Sequence, residues 1–170
     1  MTDKKNHMRD IRVEKVTLNI GAGKSEETLK KGLKLLQKLS PQTPVKTLAR
    51  KRIPAWGLRP GLAIGCKVTV RKDAQAFLKR LLVARENALP ASVFDDQGNF
   101  SFGIPEYIDI EGIEYDPELK IMGLEVAVTL TRPGFRVKNR KIRSQKIGKR
   151  HRISKDDAVT FMKGLGVEVA

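Results

Sequence analysis

Residues 62–71, LAIGCKVTVR, alternate apolar and polar side chains, and a period of two admits one regular element, a half-buried β-strand. Leu62, Ile64, Cys66, Val68 and Val70 are expected inward, and Lys67, Thr69 and Arg71 outward. Residues 11–20, IRVEKVTLNI, obey the same rule once a phase slip near Glu14 is read as a bulge. Val16, Leu18 and Ile20 then share one face, and Lys15, Thr17 and Asn19 the other. Residues 124–132, LEVAVTLTR, turn Leu124, Val126, Val128 and Leu130 inward and Glu125, Thr129 and Thr131 outward. Strands of this kind must be covered on the apolar face and can leave the other open.

The segments between them supply the cover. Ser25 is a good N-cap, Glu26 and Glu27 suit the positive end of a helix, and Leu29, Leu33, Leu36 and Leu39 form a stripe that stops at Ser40-Pro41. A short strand is expected over 45–49, followed by a basic loop, RKRIPAWGLRPG, at 50–61. Asp73 is placed to cap a second helix carrying Phe77, Leu78, Leu81, Leu82 and Ala88, with Pro90 ending it. Residues 94–110, FDDQGNFSFGIPEYIDI, suggest a hairpin or irregular loop with short strand pieces of unassigned pairing. SKDDAVTFMKGLG reads as a capped C-terminal helix with Val159, Phe161, Met162 and Leu165 on it. The order predicts an α+β fold, an antiparallel or mixed sheet with helices packed on one face, within the one domain that 170 residues ordinarily build.

Charge says what the open face should meet. Thirty-four Lys and Arg against nineteen Asp and Glu give a net charge of +15, which calls for a polyanionic partner. Ten of the cations lie in the 21 residues 132–152, RPGFRVKNRKIRSQKIGKRHR, which hold no acid; the other 24 cations face 19 carboxylates, a balance of only +5. Arg136, Lys138, Arg140, Lys141, Arg143, Lys146, Lys149, Arg150 and Arg152 therefore read as a basic arm that repels itself and orders on a partner. A single cysteine and two histidines supply neither a disulfide nor an ordinary zinc site, so a reducing compartment and no metal or other cofactor are expected. No apolar run approaches the ~18 to 20 residues of a membrane span, and the N-terminal decapeptide lacks a signal-peptide core. Neither a membrane nor a small-molecule substrate is expected, and the cytoplasm is the expected location.

GAGKS, residues 21–25, invites comparison with a nucleotide-binding loop. That loop needs a glycine five positions before the Gly of Gly-Lys-Ser, so that its backbone N–H groups can wrap a phosphate. Leu18 occupies the position, and Glu26 and Glu27 would repel the anion. A strand-to-helix turn capped by Ser25 is the better reading. Other catalytic sets are equally thin: neither His7 nor His151 has a placed nucleophile, and Cys66 falls on an apolar face, where a thiol is inert. Asp95-Asp96 and Asp156-Asp157 suit a turn and a helix start. The expectation is a protein that is not an enzyme.

The outward residues Lys15, Thr17, Asn19, Lys67, Thr69, Arg71, Thr129 and Thr131 mix cations with hydrogen-bonding groups, the chemistry that holds phosphates and reads 2′-hydroxyls or base edges. In the loop, Arg50, Lys51, Arg52 and Arg59 flank Trp56, which is open to two readings, a packing anchor or a platform for a stacked base. A free-standing basic RNA-binding module or RNA chaperone is one reading of these features.

MRDIRVEKVTLNIGAG, SPQTPVKTLARK, GCKVTV, GNFSFGI and YDPELKIMGLEVAVTLTRPG resemble, in order and without large gaps, the large-subunit ribosomal proteins called L five, the 5S rRNA binders. The basic segment and following helix are similar to the archaeal and eukaryotic branch, whose eukaryotic member is called L eleven. The resemblance implies an RRM-like or ferredoxin-like sheet over residues 1–131, with the arm and C-terminal helix of 132–170 packed on the same domain. It implies a structural constituent of the large ribosomal subunit that holds 5S rRNA in the central protuberance beside large-subunit rRNA and a neighbouring 5S-binding protein. It also implies contact with a small-subunit head protein, forming an intersubunit bridge, and with peptidyl-site tRNA. Motif by motif, the family's RNA-reading residues fall on Asn19, Gln42 and Thr69, with Lys15, Lys46, Lys67 and Arg71 beside them; the tRNA-facing loop falls on residues 50–61. Ser40-Pro41 stands before Gln42 where many relatives have Ser/Thr-Gly.

Overall fold

Each alternating segment forms its strand, and one inserted residue keeps the first in phase. In the computed structural model, which describes residues 6–169, β1 spans Arg12–Gly21 and buries Val16, Leu18 and Ile20. Residues 1–5 and 170, the outer ends of the two expected segments, lie outside the described residues. The ladder from β1 to its neighbour passes from Val13 to Lys15 with a register shift, so Glu14 is the bulge. The extra residue lets both Val13 and Val16 reach the core.

Helix α1, Glu26–Leu39, begins where expected, with the Thr28 N–H donating to Ser25 Oγ at 3.3 Å. Its buried face is Leu29, Gly32, Leu35, Leu36 and Leu39, so Leu35 replaces the expected Leu33, which is only half-buried. The cause is Gly32. A Cβ there would lie 2.9 Å from Cys66 Sγ and 3.3 Å from Ile20 Cγ2, which makes Gly32 the line of closest approach. At about 100° per residue, Leu35 lies about 60° from that line and Leu33 about 100°.

The edge strand β2, Val45–Leu48, is followed by a short 3-10 turn, Pro54–Trp56, and by β3, Ala63–Val70. Leu62 is a correction to the expected strand: it lies outside β3 and is exposed, its carbonyl accepting the Ala49 N–H at 2.8 Å at the base of the loop. Helix α2, Ala74–Val83, corrects two more expectations. Asp73 occupies the cap position with φ +54° and makes no side-chain cap. The helix ends well before Pro90 because Glu86 and Asn87 take left-handed backbone, which breaks the helical path. Ala88 is therefore an exposed residue of β4, Ala88–Leu89, and not of the helix.

The unassigned segment resolves into β5, Phe100–Ile104, entered through a turn in which Asp95 Oδ1 accepts the N–H groups of Gln97 and Asn99 at 2.9 and 2.7 Å. β6, Leu124–Thr131, alternates as expected. A four-residue helix α3, Arg136–Asn139, lies in the basic arm; α4, Lys155–Gly164, opens on a Ser154/Asp157 capping box; and β7, Glu168–Val169, pairs in parallel with β4.

The main sheet has the order β2-β3-β1-β6-β5, antiparallel throughout. β3 lies between β1 and β2, and β1 lies between β3 and β6, so two βαβ units interleave as in ferredoxin-like and RRM-like folds, with β5 as a fifth strand outside β6. Helices α1 and α2 cover one face. Phe94, Ile153, Ala158, Met162 and Val167 join the same hydrophobic core, which brings α4 onto the body.

Two lysines of α1 are used internally. Lys34 and Lys38 pair with Asp116, the second at 2.5 Å, and Lys34 also pairs with Glu118. Lys38, the Glu118 N–H and Lys34 hold the Asp116 carboxyl at about 2 despite some desolvation.

Candidate nucleic-acid interface

The strand register assembles the face left open by the helices. Val45, Lys67, Asn19, Glu125 and Gly103 stand opposite one another across all five strands. The next row is Thr69, Thr17, Ala127 and Ser101, and Lys15 stands opposite Thr129 beyond it. Opposed side chains project to the same face about 4.5 to 5.5 Å apart. Lys15, Asn19, Lys67 and Thr69, far apart in sequence, thus share one surface. Arg71 follows the end of β3 and is exposed.

Two polar contacts tune it. The hydroxyls of Thr17 and Thr69 lie 3.4 Å apart, and Asn19 Nδ2 donates to Glu125 Oε2 at 3.2 Å. Glu125 therefore orients the Asn19 amide and leaves its oxygen open as an acceptor. Gly103, Ala127 and Ser101 keep the adjoining half of the face low, and with Asn19, Lys67 and Glu125 they line a shallow depression of about 570 Å³. Sequence reasoning missed this half, since the register of β5 against β6 has no local signature in residues 94–110.

Lys46 does not join that face. It stands opposite Cys66, whose side chain points to the helices, so Lys46 projects from the other side of the edge strand. Gln42 is exposed in the turn before β2, where its N–H donates to Ser40 Oγ at 3.2 Å. The buried Ser40 hydroxyl accepts that bond across Pro41, which has no N–H of its own to donate.

The 50–61 loop is a narrow extension of the β2–β3 hairpin, closed by reciprocal bonds between Ile53 and Leu58 at 3.1 and 3.0 Å. Arg50, Lys51, Arg52 and Arg59 are exposed along it. Trp56 is 66% exposed, so it is no packing anchor. Lys24 of the GAGKS turn reaches under this loop: its Cε lies 2.7 Å from where a Cβ on Gly57 would stand, and Gly57 has φ +60°. The turn itself is shaped by Gly23 at φ +57° and by the Ser25 cap, so Lys24 supports a loop and holds no phosphate cradle.

The basic arm is fastened at both ends. Arg132, 9% exposed, forms an ion pair with Asp157 at 3.0 Å and donates to the Arg152 carbonyl at 3.1 Å. His151 Nε2 lies 2.9 Å from the Pro133 carbonyl and its ring meets Phe135 edge-on. Desolvation works to raise the Asp157 carboxyl, but the Ser154 N–H and hydroxyl and the Arg132 guanidinium outweigh it and hold the group below the usual range. Between these anchors Arg136, Lys138, Arg140, Lys141, Arg143, Lys146, Lys149 and Arg150 are exposed, as is Arg152 at the end.

Among the described residues, ion pairs join Lys31, Lys34, Lys38 and Arg132 to carboxylates, whereas Lys15, Lys67, Arg71 and the cations of the loop and arm make none. The open face, the loop and the arm thus carry cations that no carboxylate pairs with, as do exposed positions elsewhere such as Lys30, Lys79 and Lys163. No group of three His, Cys, Asp or Glu among the described residues is placed to hold a metal, and no described helix is long and apolar enough to cross a membrane.

Two family models match the chain, one on each side of a break in the β2–β3 loop. The family model described as ribosomal protein L5 matches residues 6–59, and the model for the C-terminus of the same ribosomal family matches residues 63–165. The chain belongs to the ribosomal L5 family. "Large ribosomal subunit protein uL5" of Nanoarchaeum equitans is 52% identical over 165 residues, spanning 95% of this chain and 97% of the relative. The proteins of the same name from Sulfurisphaera tokodaii and Methanococcus vannielii are 49% and 44% identical, covering 93% and 97% of this chain and 90% and 94% of the relatives. The two L5 models divide the chain inside the β2–β3 loop, although β2 and β3 belong to one sheet.

Cys66 sits beneath the L5 face, fully buried, and burial pushes its thiol up to about 11. The native protein is expected to resist iodoacetamide at pH 8 and to become reactive on addition of denaturant. Labelling of the native chain at the denatured rate would show that Cys66 is open to solvent.

Proposed function

We propose that this chain holds 5S rRNA against the open face of its sheet and thereby helps fasten that RNA in the central protuberance. Family membership carries the coarser part, a structural protein of the large ribosomal subunit and not an enzyme, in the ribosomes of the cytoplasm. The observation that carries the finer reading is the register of unpaired Lys15 and Lys67 with Asn19, Thr17 and Thr69 on the face that α1 and α2 leave open. Lysines supply phosphate attraction without sequence preference, while the hydroxyls and the oriented amide supply groups that distinguish one RNA from another. Gln42 and Arg71 extend the same contact; Lys46 reaches RNA only where it wraps the β2 edge. Exposed Trp56 between Arg52 and Arg59 suits stacking on a tRNA nucleotide at the loop tip. A neighbouring 5S-binding protein, large-subunit rRNA and a small-subunit head protein complete the proposed partners, and no observation on the surface favours a free RNA chaperone.

Filter binding of the purified protein tests the reading. We expect 5S rRNA to bind more tightly than an unrelated RNA of equal length, with affinity falling as salt rises by roughly 0.9 counterion per duplex phosphate neutralised and 0.7 per single-strand phosphate. Equal affinity for the two RNAs would sink it.

A further inference from the structure

The basic arm folds back across the far end of the open face and encloses a cleft of about 430 Å³. Its walls come from two distant parts of the chain: Lys15 and Thr129 from the sheet, and Lys138, Asn139, Lys146 and Arg152 from the arm. Four cations face one carboxylate, Glu14, which lies at the bulge of β1. None of the four makes an ion pair among the described residues. Phe135 and Ile147 add apolar wall.

The walls are built rather than incidental. Phe135 is backed by His151 at a ring separation of 5.7 Å, the Gln145 N–H donates to the Val137 carbonyl at 3.2 Å, and Ser144 Oγ donates to the Lys138 carbonyl at 3.0 Å. Arg152 Nε donates to the Ile147 carbonyl at 3.3 Å. On the sheet side Asn99 is tied to Asp95 and to the Leu130 N–H, so that wall is braced as well.

We propose that this cleft takes one unpaired RNA nucleotide, its phosphate among Lys138, Lys146 and Arg152 and its base against Phe135 and Ile147. A bare phosphate needs neither the apolar walls nor a space within the small-ligand range of about 300 to 1,000 Å³. Asn139, Gln97 and Thr129 supply donors and acceptors for a base edge, and Lys15 is shared with the sheet surface, so a strand lying on the sheet can place its next nucleotide here. The proposal rests on the reading of the sheet as an RNA-binding face.

Titration of the ¹⁵N-labelled full chain with each nucleoside 5′-monophosphate, and separately with inorganic phosphate, tests it. At least one nucleotide is expected to move the Thr129, Phe135 and Ile147 amides saturably and to bind at least fivefold more tightly than phosphate. The double variant Lys138→Ser, Lys146→Ser, both exposed positions, is expected to lose about tenfold in that affinity with the rest of the spectrum unchanged, two charge-assisted contacts being removed. An equal response to phosphate, shifts scattered outside the cleft, or a response that survives the double variant would overturn the proposal. The 5S binding comparison separates the two failures: preference for 5S rRNA with an empty cleft sinks only the nucleotide site, whereas no preference sinks the functional reading itself.

Discussion

Alanine at Lys15, Asn19 and Lys67 together is expected to weaken binding to 5S rRNA by about 100-fold at low salt, a hydrogen bond to a charged group contributing about 1.5 to 3 kcal/mol before losses to compensation. The register is the reason for taking the three together. Asn19 and Lys67 are direct partners across β1 and β3, and Lys15 lies on the same face of β1. The salt dependence should flatten as well, by about 0.7 to 0.9 in slope for each lysine that neutralised a phosphate. Asn19→Ala by itself should lower discrimination between 5S and unrelated RNA more than it lowers affinity, since it releases Glu125 as well as removing an acceptor. Because all three side chains leave the core untouched, the melting temperature should move little. Unchanged 5S affinity in the triple variant would place the RNA elsewhere, and a large melting loss would mean the residues are structural.

Gly98→Ala is expected to destabilise the folded protein by about 2 to 5 kcal/mol, adding left-handed strain of about 1 to 2 kcal/mol to an overpacking cost of about 1 to 3. Gly98 has φ +74°, and a Cβ there would stand 2.5 Å from Ile153 Cγ2, 3.2 Å from Ile153 Cβ and 3.3 Å from Ala158 Cβ. Neither side can give way easily. The turn is held by Asp95, and Ile153 and Ala158 are buried where the arm joins α4. At about 2 to 4 °C per kcal/mol for a chain of this size, the melting temperature should fall by roughly 4 to 20 °C. The loss is expected in one transition, with the arm and α4 unfolding together with the sheet, since Ile153, Ala158 and Met162 share the sheet's core. A separate early transition confined to α4 would instead make residues 132–170 an independent unit.

Much of this architecture is written in local patterns. A period of two allows Val16, Leu18 and Ile20 only one buried face, which is why Lys15, Thr17 and Asn19 could be assigned to the opposite one without coordinates. Ser25 and Ser154 cap their helices because a side-chain oxygen needs only the next few N–H groups. Asp73 failed as a cap because its backbone takes φ +54°, which the residue type does not announce. Leu35 displaced Leu33 because the closest point between α1 and the sheet falls on Gly32, a property of two surfaces and not of one helix.

The functional face divides along the same line. Which side chains of each strand point outward, and the excess of positive charge, follow from composition and alternation along the chain. Which of them become neighbours depends on strand order and register, set by hydrogen bonds between segments as far apart as Arg12 and Thr131. Asn19 meets Glu125, Lys46 turns to the opposite side from Lys67, and the arm closes a cleft with Lys15 through those long-range pairings. Alternation is a one-strand rule, whereas adjacency is a property of the folded sheet.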